Sequence, residues 1–521
     1  MFLFRLALPL SLLLLVSCTR PQTESLYEQL GLEEITLDQL MQGFESGEFT
    51  SSQIVQAYLD RIESIDRNGP QLNSMLTLNP DALETANRLD QERKEGSLRG
   101  PLHGIPIVLK DNIDMLNLPT TAGSRVLEFS TPERDAFITE RLREQGAIIL
   151  GKANLSEWAN FHSSFSSSGW SLLGGQVKNP YELSRNPCGS SSGPAVALSA
   201  NLTPLAIGTE TNGSIVCPSG ANGIVGMKPT VGLWSRSGII PISYSTDSAG
   251  PMARTVRDAA ILLGALAGID PDDEKTLAAE NQLHSDYTVF LNKDGLAGKR
   301  IGLYTAPLGG HFRVDTLMVQ TVRKLEDLGA EIIEIDQISE QNIGGAAFQV
   351  LLYEFRDGLN NYLASLGESA PIKDIEELAE QIRSTPEETA RFDRDLIFQA
   401  AELGGLESEE YREALERMLL HSREEGIDRV MDEHQLDALV APTGSPAWKT
   451  DLLMGDNLRV GSSSPSARAG YPIISLPMGH LDGMPVGISF FGRAWSEPVL
   501  LEIAYAFEQA TLHRRVPEFR E

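Results

Sequence analysis

Two turns rich in serine and glycine lie close together in the sequence, one on each side of an apolar segment. The first runs from Cys188 to Gly193 as CGSSSG, and the second from Thr211 to Ser214 as TNGS. Glycine permits tight turns in which consecutive backbone N–H groups crowd around one oxygen atom. Such groups stabilise the oxyanion that forms when a serine hydroxyl attacks a carbonyl group. The sequence therefore indicates an acyl-transfer site with a serine nucleophile.

Lys110 is the candidate for the base that this serine needs, because a serine hydroxyl is a poor nucleophile until its proton is removed. Lysine can accept a proton only when neutral, so its pKa must fall from about 10.4 to about 7. The apolar run Ile105–Leu109 before Lys110 can bury the amine and cause that fall. The alternative is a structural ion pair with Asp111 or Asp114, and residue types alone leave both readings open.

Other serine-hydrolase schemes can be compared with the same residues. The segment 189–193 formally matches G-x-S-x-G with Ser191 as nucleophile, but that motif follows a buried strand. Residues 178–187 are polar and contain two prolines, so the motif lacks its strand. No lysine has a serine three residues before it, which excludes an S-x-x-K site. His103 and His162 are the nearest histidines, and neither has an evident orienting carboxylate.

Several elements must position these residues. From residue 104 onward, short apolar runs alternate with amphipathic helices, which is typical of an α/β fold with a covered sheet. The interval between Ser190 and Ser214 accommodates a buried helix and a return strand, so both serines can meet at one place. Thr36 to Asp66 predicts two amphipathic helices, the second opened by a capping box of Thr50 and Gln53. Residues 340–430 predict a mostly helical insertion or cap.

The N-terminus predicts export. Residues 1–17 resemble a lipoprotein-type signal peptide, because their apolar core is too short to span a bilayer as a stable helix. The LVSC motif ending at Cys18 resembles a lipobox, so we expect lipidation at Cys18 and a membrane anchor at the bacterial cell envelope, on the periplasmic face. Residues 18–30 would then form a tether and 31–521 one large domain. An ordinary secretory signal with an incidental cysteine is the alternative.

Net charge, metal-binding motifs and cysteine content indicate which classes of partner and ligand the protein lacks. The net charge of −29 argues against nucleic acid as a partner. The sequence has no CxxC pair and no HExxH motif, so we expect no metal and no cofactor. Cys188 and Cys217 flank the two candidate serines. We expect two buried thiols there, with a disulfide as the alternative in an envelope compartment.

Long motifs resemble the amidase signature family. They are GSSSG, GTETNGSIVCPSG, GIVGMKPT, KDNID and GPMART, with TTAGS at Thr120–Ser124 and GAIILGKANLSEWAN at Gly146–Asn160. The match runs from Thr36 to about Arg257 and resumes from Asp437 to Thr511. It implies a single large domain with a mixed, twisted central sheet covered by helices.

The resemblance also implies roles for individual residues. The family's Ser–cis-Ser–Lys triad is carried over onto Ser214 as nucleophile, Ser190 as bridging serine in a cis peptide, and Lys110 as base. Its oxyanion hole is carried over onto the backbone N–H groups of Thr211, Asn212, Gly213 and Ser214.

Two departures from the commonest family pattern narrow the expected activity. CGSSSG replaces GGSSGG, and Asn212 precedes Gly213-Ser214 where many members have glycine; with SIVCPSG and SRSGIIPIS, these features resemble the peptide amidase branch. The expected substrate is a small amide or a peptide with a C-terminal amide. The alternatives are a catalytically silent lipoprotein that binds peptides or amides, and one component of an aminoacyl-tRNA amidotransferase.

Overall fold

A computed structural model describes residues 24–521, without the side chain of Glu368. Its strands are β1 (Met75–Leu78), β2 (Pro106–Lys110), β3 (Ile148–Ala153), β4 (Trp170–Ser171), β5 (Gly175–Gln176), β6 (Leu205–Glu210), β7 (Val225–Lys228), β8 (Ser248–Ala253), β9 (Arg300–Tyr304), β10 (Glu331–Ile335), β11 (Ala438–Pro442), β12 (Ile473–Leu481) and β13 (Met484–Phe491).

Helices lie between many of these strands in the sequence. They are α1 (Leu26–Gln29), α2 (Leu37–Ser46), α3 (Ser51–Arg61), α4 (Ala82–Lys94), α5 (Phe137–Glu144), α6 (Ser192–Ser199), α7 (Val216–Ala221), α8 (Val256–Leu266), α9 (Phe312–Asp327), α10 (Gly344–Ser365), α11 (Ile375–Ser384), α12 (Asp395–Ala401), α13 (Glu409–Ser422), α14 (Arg429–Glu433), α15 (Ser464–Ala469) and α16 (Glu497–Thr511).

Eleven strands form one sheet, in the order β1-β3-β2-β6-β8-β7-β12-β13-β11-β9-β10, and β4 pairs with β5 separately. The pairs β3-β2, β2-β6, β11-β9 and β9-β10 are parallel, and the remaining pairs in the sheet are antiparallel. This mixed sheet with its covering helices confirms the predicted α/β fold class.

The neighbouring strands β2 and β6 set up the candidate site. They run parallel, with Ile107 opposite Leu205 and Leu109 opposite Ile207. Every residue of both strands is buried, including the charged residues Lys110 and Glu210 at their carboxyl ends. Because the carboxyl ends of parallel strands meet at one edge of a sheet, the end of β2 lies beside the end of β6.

The two helices predicted between Thr36 and Asp66 form as α2 and α3, and the buried helix and return strand predicted between Ser190 and Ser214 form as α6 and β6. The apolar run before Lys110 is a strand, but β2 extends through Lys110 itself. The strand β8, with the sequence SAGPMA, was not predicted, because glycine and proline have low β-propensity. It forms because β6 and β7 pair with it on its two sides.

Helix α3 is capped as predicted. Thr50 and Gln53 form the capping box at the start of α3, which confirms that prediction. The expected tether is partly wrong, because its end is folded: α1 lies within 18–30, and Tyr27 is buried. The Tyr27 ring packs edge-on against Tyr58, and the Arg61 guanidinium lies over it. Cys18 and the signal-like segment 1–17 lie outside the described residues.

Five helices, α10 to α14, lie between β10 and β11, where the sequence predicts a helical region. Leu359 of α10, Ile375 of α11 and Ile397 of α12 share an apolar cluster with Trp158 and Phe161. Helices α10, α11 and α12 are therefore packed against the segment that follows β3. No helix within residues 24–521 combines the length and the apolar character needed to cross a bilayer.

Candidate active site

Three chain segments bring Lys110, Ser190 and Ser214 to one place. Lys110 is the last residue of β2, Ser190 precedes α6, and Ser214 lies in the turn after β6. The Ser191 amide donates a hydrogen bond of 3.0 Å to the Ser214 carbonyl, which ties the two serine turns together. The sheet edge therefore positions the base, and this backbone contact holds the two serine segments against each other.

The Lys110 side chain is fully buried among hydroxyl and carbonyl groups. Its Nζ donates to Ser190 Oγ at 2.7 Å, to Thr209 Oγ1 at 2.8 Å and to the Thr209 carbonyl at 3.2 Å. Burial lowers the pKa of Lys110 to about 7, against the opposing influence of the Asp247 and Glu210 carboxylates. The amine is therefore neutral in a large fraction of molecules near pH 7.

The ion-pair reading of Lys110 is wrong, because both candidate carboxylates have other partners. Asp111 pairs with Lys152 at 3.2 Å, and both side chains are buried. Asp114 accepts a hydrogen bond of 2.8 Å from the Tyr362 hydroxyl. Among the described residues, no carboxylate lies within ion-pair distance of Lys110 Nζ.

Ser190 and Ser214 differ in their access to solvent. Ser190 is fully buried, and the Gly189–Ser190 peptide bond is cis, as the resemblance implied. Ser214 lines a cavity of about 380 Å³, called here the Ser214 cavity, together with Gly189, Cys188 and Trp448. Within residues 24–521, Ser214 Oγ makes no hydrogen bond, so this hydroxyl is available to a molecule in the cavity.

The turn from Thr211 to Ser214 contains four backbone donors. Gly213 has a φ of +86°, a left-handed conformation that glycine adopts without strain. In the described part of the chain, the amides of all four residues of this turn donate to no protein acceptor. Consecutive free amides in such a turn form an anion-binding concavity. The turn can therefore hold a negatively charged oxygen beside Ser214.

Two carboxylates hydrogen-bond to residues at the two ends of this turn, and neither was identified from the sequence. Glu210 Oε2 accepts hydrogen bonds from the amides of Ile215 and Val216, at 2.7 and 3.0 Å. Asp247 Oδ1 accepts a hydrogen bond of 2.7 Å from the Thr211 hydroxyl. Glu210 is buried, and the partial burial of Asp247 raises the pKa of its carboxyl.

Thr209 and Asn112 were also missed. Thr209 Oγ1 accepts hydrogen bonds from both Lys110 Nζ and Asn112 Nδ2, the latter at 3.0 Å. Asn112 belongs to the KDNID motif, which weakly indicated a role in the site. Thr209 lies inside a buried strand, and nothing in its sequence context indicated such a role. Together these two side chains orient the lysine.

The expectation of two buried thiols is wrong, because Cys188 and Cys217 form a disulfide with an S–S distance of 1.99 Å. The disulfide joins the segment that leads into Ser190 to helix α7, which follows Ser214. Both cysteines line the Ser214 cavity. A covalent link therefore closes one wall of the candidate site.

The rival catalytic residues have other contacts. Ser191 Oγ donates to the Thr209 carbonyl at 3.0 Å and so binds the two site segments together. His103 contacts the Leu89 carbonyl, and His162 contacts the Glu157 carbonyl. Neither histidine hydrogen-bonds to a serine within residues 24–521. No group of three or more His, Cys, Asp or Glu side chains within residues 24–521 is arranged to hold a metal ion.

Known proteins are similar to this chain over most of its length. A family model described as Amidase matches residues 53–501. A probable amidase of Arabidopsis thaliana is 41% identical, with coverage of 98% of this chain and 96% of the relative. One component of the glutamyl-tRNA(Gln) amidotransferase of a Cyanothece species is 34% identical, with coverage of 93% and 99%.

A solved structure is similar over nearly the whole chain. The native peptide amidase of Stenotrophomonas maltophilia is 46% identical, with a TM-score of 0.91 and coverage of 94% of this chain and 100% of that chain.

Proposed function

The chain belongs to the amidase signature family of amide-hydrolysing enzymes, and from that premise we propose that it removes the C-terminal amide of peptides. In this proposal Ser214 is the nucleophile, Ser190 the bridging serine and Lys110 the base. The observation that carries the proposal is the contact of 2.7 Å between Lys110 Nζ and Ser190 Oγ in a fully buried environment.

The reaction begins with proton transfer along this chain of groups. Neutral Lys110 accepts the Ser190 hydroxyl proton, Ser190 Oγ accepts the Ser214 proton, and Ser214 Oγ attacks the amide carbonyl carbon. The carbonyl oxygen becomes an oxyanion, which the free amides of residues 211–214 stabilise. Ser190 can act as the bridge only when its Oγ also forms a hydrogen bond with Ser214 Oγ. The described residues show no such hydrogen bond without substrate, so we expect it to form when substrate binds.

The second half of the reaction returns the proton. When the oxyanion collapses, the C–N bond breaks, and the proton held by Lys110 returns through Ser190 to the leaving nitrogen. Ammonia departs and an ester on Ser214 remains. A water molecule then gives its proton to the same relay, attacks the ester carbonyl, and releases the carboxylic acid with regeneration of the serine.

Two features support a peptide amide as the substrate. The chain is 46% identical to a peptide amidase over nearly its whole length. Two of the departures from the family pattern, Cys188 and Asn212, also lie in the wall of the Ser214 cavity, where they can contact a bound substrate. Substrate choice depends on such site residues, since one fold can host many substrates.

A role as one component of an amidotransferase is the second candidate, supported by the 34% identity to the glutamyl-tRNA(Gln) amidotransferase component. The acidic net charge of −29 and the signal-like segment 1–17 weigh against it. A protein that binds amides without hydrolysing them is the less favoured alternative. Burying the Lys110 amine without a carboxylate partner costs free energy, and only a catalytic protein has a use for the neutral amine that results.

We also propose that the protein is exported and lipid-anchored at Cys18. The Cys188–Cys217 disulfide supports export, because disulfides persist mainly in oxidising compartments. Expression in a bacterial host with labelled palmitate tests this proposal: the wild type should carry the label in the membrane fraction, and Cys18→Ser should lose it. Equal labelling of both proteins, or none of the wild type, would exclude the anchor.

The substrate proposal is tested by ammonia release from peptide amides, aryl amides and fatty amides with the purified protein. Hydrolysis of peptide amides with the largest kcat/KM supports it. Preference for aryl or fatty amides would move the enzyme to another substrate class within the family. Activity only with glutamine and partner proteins would favour the amidotransferase role.

A further inference from the structure

A second pocket opens beside the Ser214 cavity. Its volume is about 210 Å³, and it shares Thr211, Asn212 and Leu351 with that cavity. Apolar side chains from α10, α13 and α15 form most of its remaining wall, namely Ala347, Phe348, Met418 and Ala467. Arg468 is the one charged residue among the described residues that line it, and we call this space the Arg468 pocket.

The Arg468 guanidinium has no partner among the described side chains: it donates no hydrogen bond, and no described carboxylate lies within ion-pair distance. Burial lowers the pKa of Arg468, with an opposing influence of Tyr304. Its neighbour Arg423 differs, since Arg423 Nε donates to the Ala469 carbonyl at 2.7 Å and its guanidinium lies over the Tyr471 ring. Arg468 also borders a second pocket that contains Tyr304 and Asp336, and its Nη2 lies on the side of Gly344, which lines the Arg468 pocket. A partly buried charge without a partner is costly, and Arg468 retains five donors for a ligand.

Hydrogen bonds between Asn212 and the start of α15 fix the position of the helix that carries Arg468 relative to the candidate oxyanion turn. The Asn212 side chain accepts a hydrogen bond of 2.7 Å from the Ser463 hydroxyl and donates one of 3.2 Å to Ser464 Oγ. Ser464 begins α15, and Arg468 lies four residues later in the same helix. Four residues of α-helix advance by about 6 Å, a distance that two residues of extended peptide cover.

We propose that the Arg468 pocket is a subsite for an acidic residue on the acyl side of the scissile amide, one or two residues before the C-terminal residue of the peptide. The substrate carboxylate accepts hydrogen bonds from the guanidinium, and its methylene groups pack against Ala347 and Phe348. The pocket lining contains no carboxylate that would repel this side chain, although the whole chain is strongly acidic. This inference rests on the proposed peptide amidase activity, because it assigns an upstream residue of that substrate.

The test uses N-acetylated tripeptide amides with Glu, Gln, Leu or Lys at each of the two positions before the C-terminal residue. At one position, kcat/KM for Glu should exceed that for Lys by about tenfold or more, the size expected for a charge-assisted hydrogen bond. Arg468→Met should reduce this ratio to about twofold or less, and Arg468→Lys should retain part of it. An unchanged ratio in Arg468→Met, or a wild-type preference for Lys at both positions, would overturn the proposal.

A matched control separates the local contact from the general field of the protein. Arg412 is exposed on α13 and lines neither cavity. Arg412→Met changes the net charge by the same amount as Arg468→Met, and it should leave the Glu to Lys ratio at the wild-type value. A loss of the ratio in Arg412→Met as well would assign the preference to net charge and overturn the subsite.

Binding distinguishes failure of the subsite from failure of the proposed function. Calorimetry of the same peptides with Ser214→Ala should show about tenfold tighter binding of the Glu peptide than of the Lys peptide, lost when Arg468→Met is added. If the wild type hydrolyses no peptide amide, the proposed function is wrong. The difference in affinity between the Glu and Lys peptides then tests on its own whether the Arg468 pocket binds an acidic residue. Equal affinities for the two peptides would overturn it.

Discussion

Lys110 Nζ lies 2.7 Å from Ser190 Oγ, and neither side chain is exposed to solvent. The remaining contacts of the amine are the hydroxyl and carbonyl of Thr209, and within residues 24–521 no described carboxylate pairs with it. A buried amine with neutral partners loses its proton more easily than an amine paired with an acid. This one relationship links the fold of β2 and β6 to the proposed proton relay.

Replacing Lys110 with methionine should remove the base without unfolding the protein, because methionine fills similar volume and brings no charge into the buried site. We expect kcat/KM for a peptide amide to fall by about 10²- to 10⁴-fold, the usual contribution of a general base. Kinetics and circular dichroism measure the two effects. Lys178→Met, which removes a lysine that donates to the Pro70 carbonyl, is the control and should keep wild-type activity. An equally active Lys110→Met would remove Lys110 from the mechanism.

The pH dependence of kcat/KM should follow the neutral form of Lys110. Because burial lowers its pKa to about 7, activity should rise with pH and reach half of its maximum near that value. The direction follows from the chemistry, since only the deprotonated amine accepts the Ser190 proton. A profile that is flat from about pH 6 to about pH 9, or that falls with pH, contradicts this assignment.

Thr209→Val should move that midpoint to lower pH. The Thr209 hydroxyl accepts a hydrogen bond from Lys110 Nζ and so favours the charged amine, whereas a valine methyl group in its place favours the neutral amine. The pH profile of the variant measures the shift. Thr203→Val, whose hydroxyl donates to the Leu205 carbonyl, should leave the midpoint unchanged. A midpoint that moves upward in Thr209→Val would show that the hydroxyl does not act on the amine.

The sequence predicted the parts of the site that are carried by contiguous motifs. The serine turns and KDNID each stand in one run of residues, so Lys110, Ser190 and Ser214 could be named without coordinates. The alternation of apolar runs likewise predicted the α/β class. The strand β8 pairs with β6 and β7 on its two sides, and a single sequence contains no direct signal for pairing.

The residues that support the site could not be predicted in this way. Thr209 and Asp247 act through hydrogen bonds to residues far away in the sequence, and their types are common in strands and loops. The disulfide also depended on a separation that only the fold sets, a Cα–Cα distance of 6.0 Å between Cys188 and Cys217.

Loss of the Cys188–Cys217 disulfide should lower both stability and activity. A disulfide that closes a loop of this length contributes about 2–4 kcal/mol to the free energy of unfolding, and this one joins the two serine-bearing segments. Thermal unfolding with and without reductant should show a lower Tm for the reduced wild type. Cys188→Ser/Cys217→Ser should have that lower Tm under both conditions. A wild-type Tm that is insensitive to complete reduction would contradict a stabilising role.

Covalent labelling tests the nucleophile most directly. A fluorophosphonate reacts with an activated serine, so intact-mass and peptide-mass measurements of the labelled protein should find one adduct, on Ser214. The adduct should be absent in Ser214→Ala and should form much more slowly in Lys110→Met. An adduct on Ser191 or another serine, or the absence of any adduct on a folded wild-type protein, would contradict the proposed Ser214–Ser190–Lys110 relay.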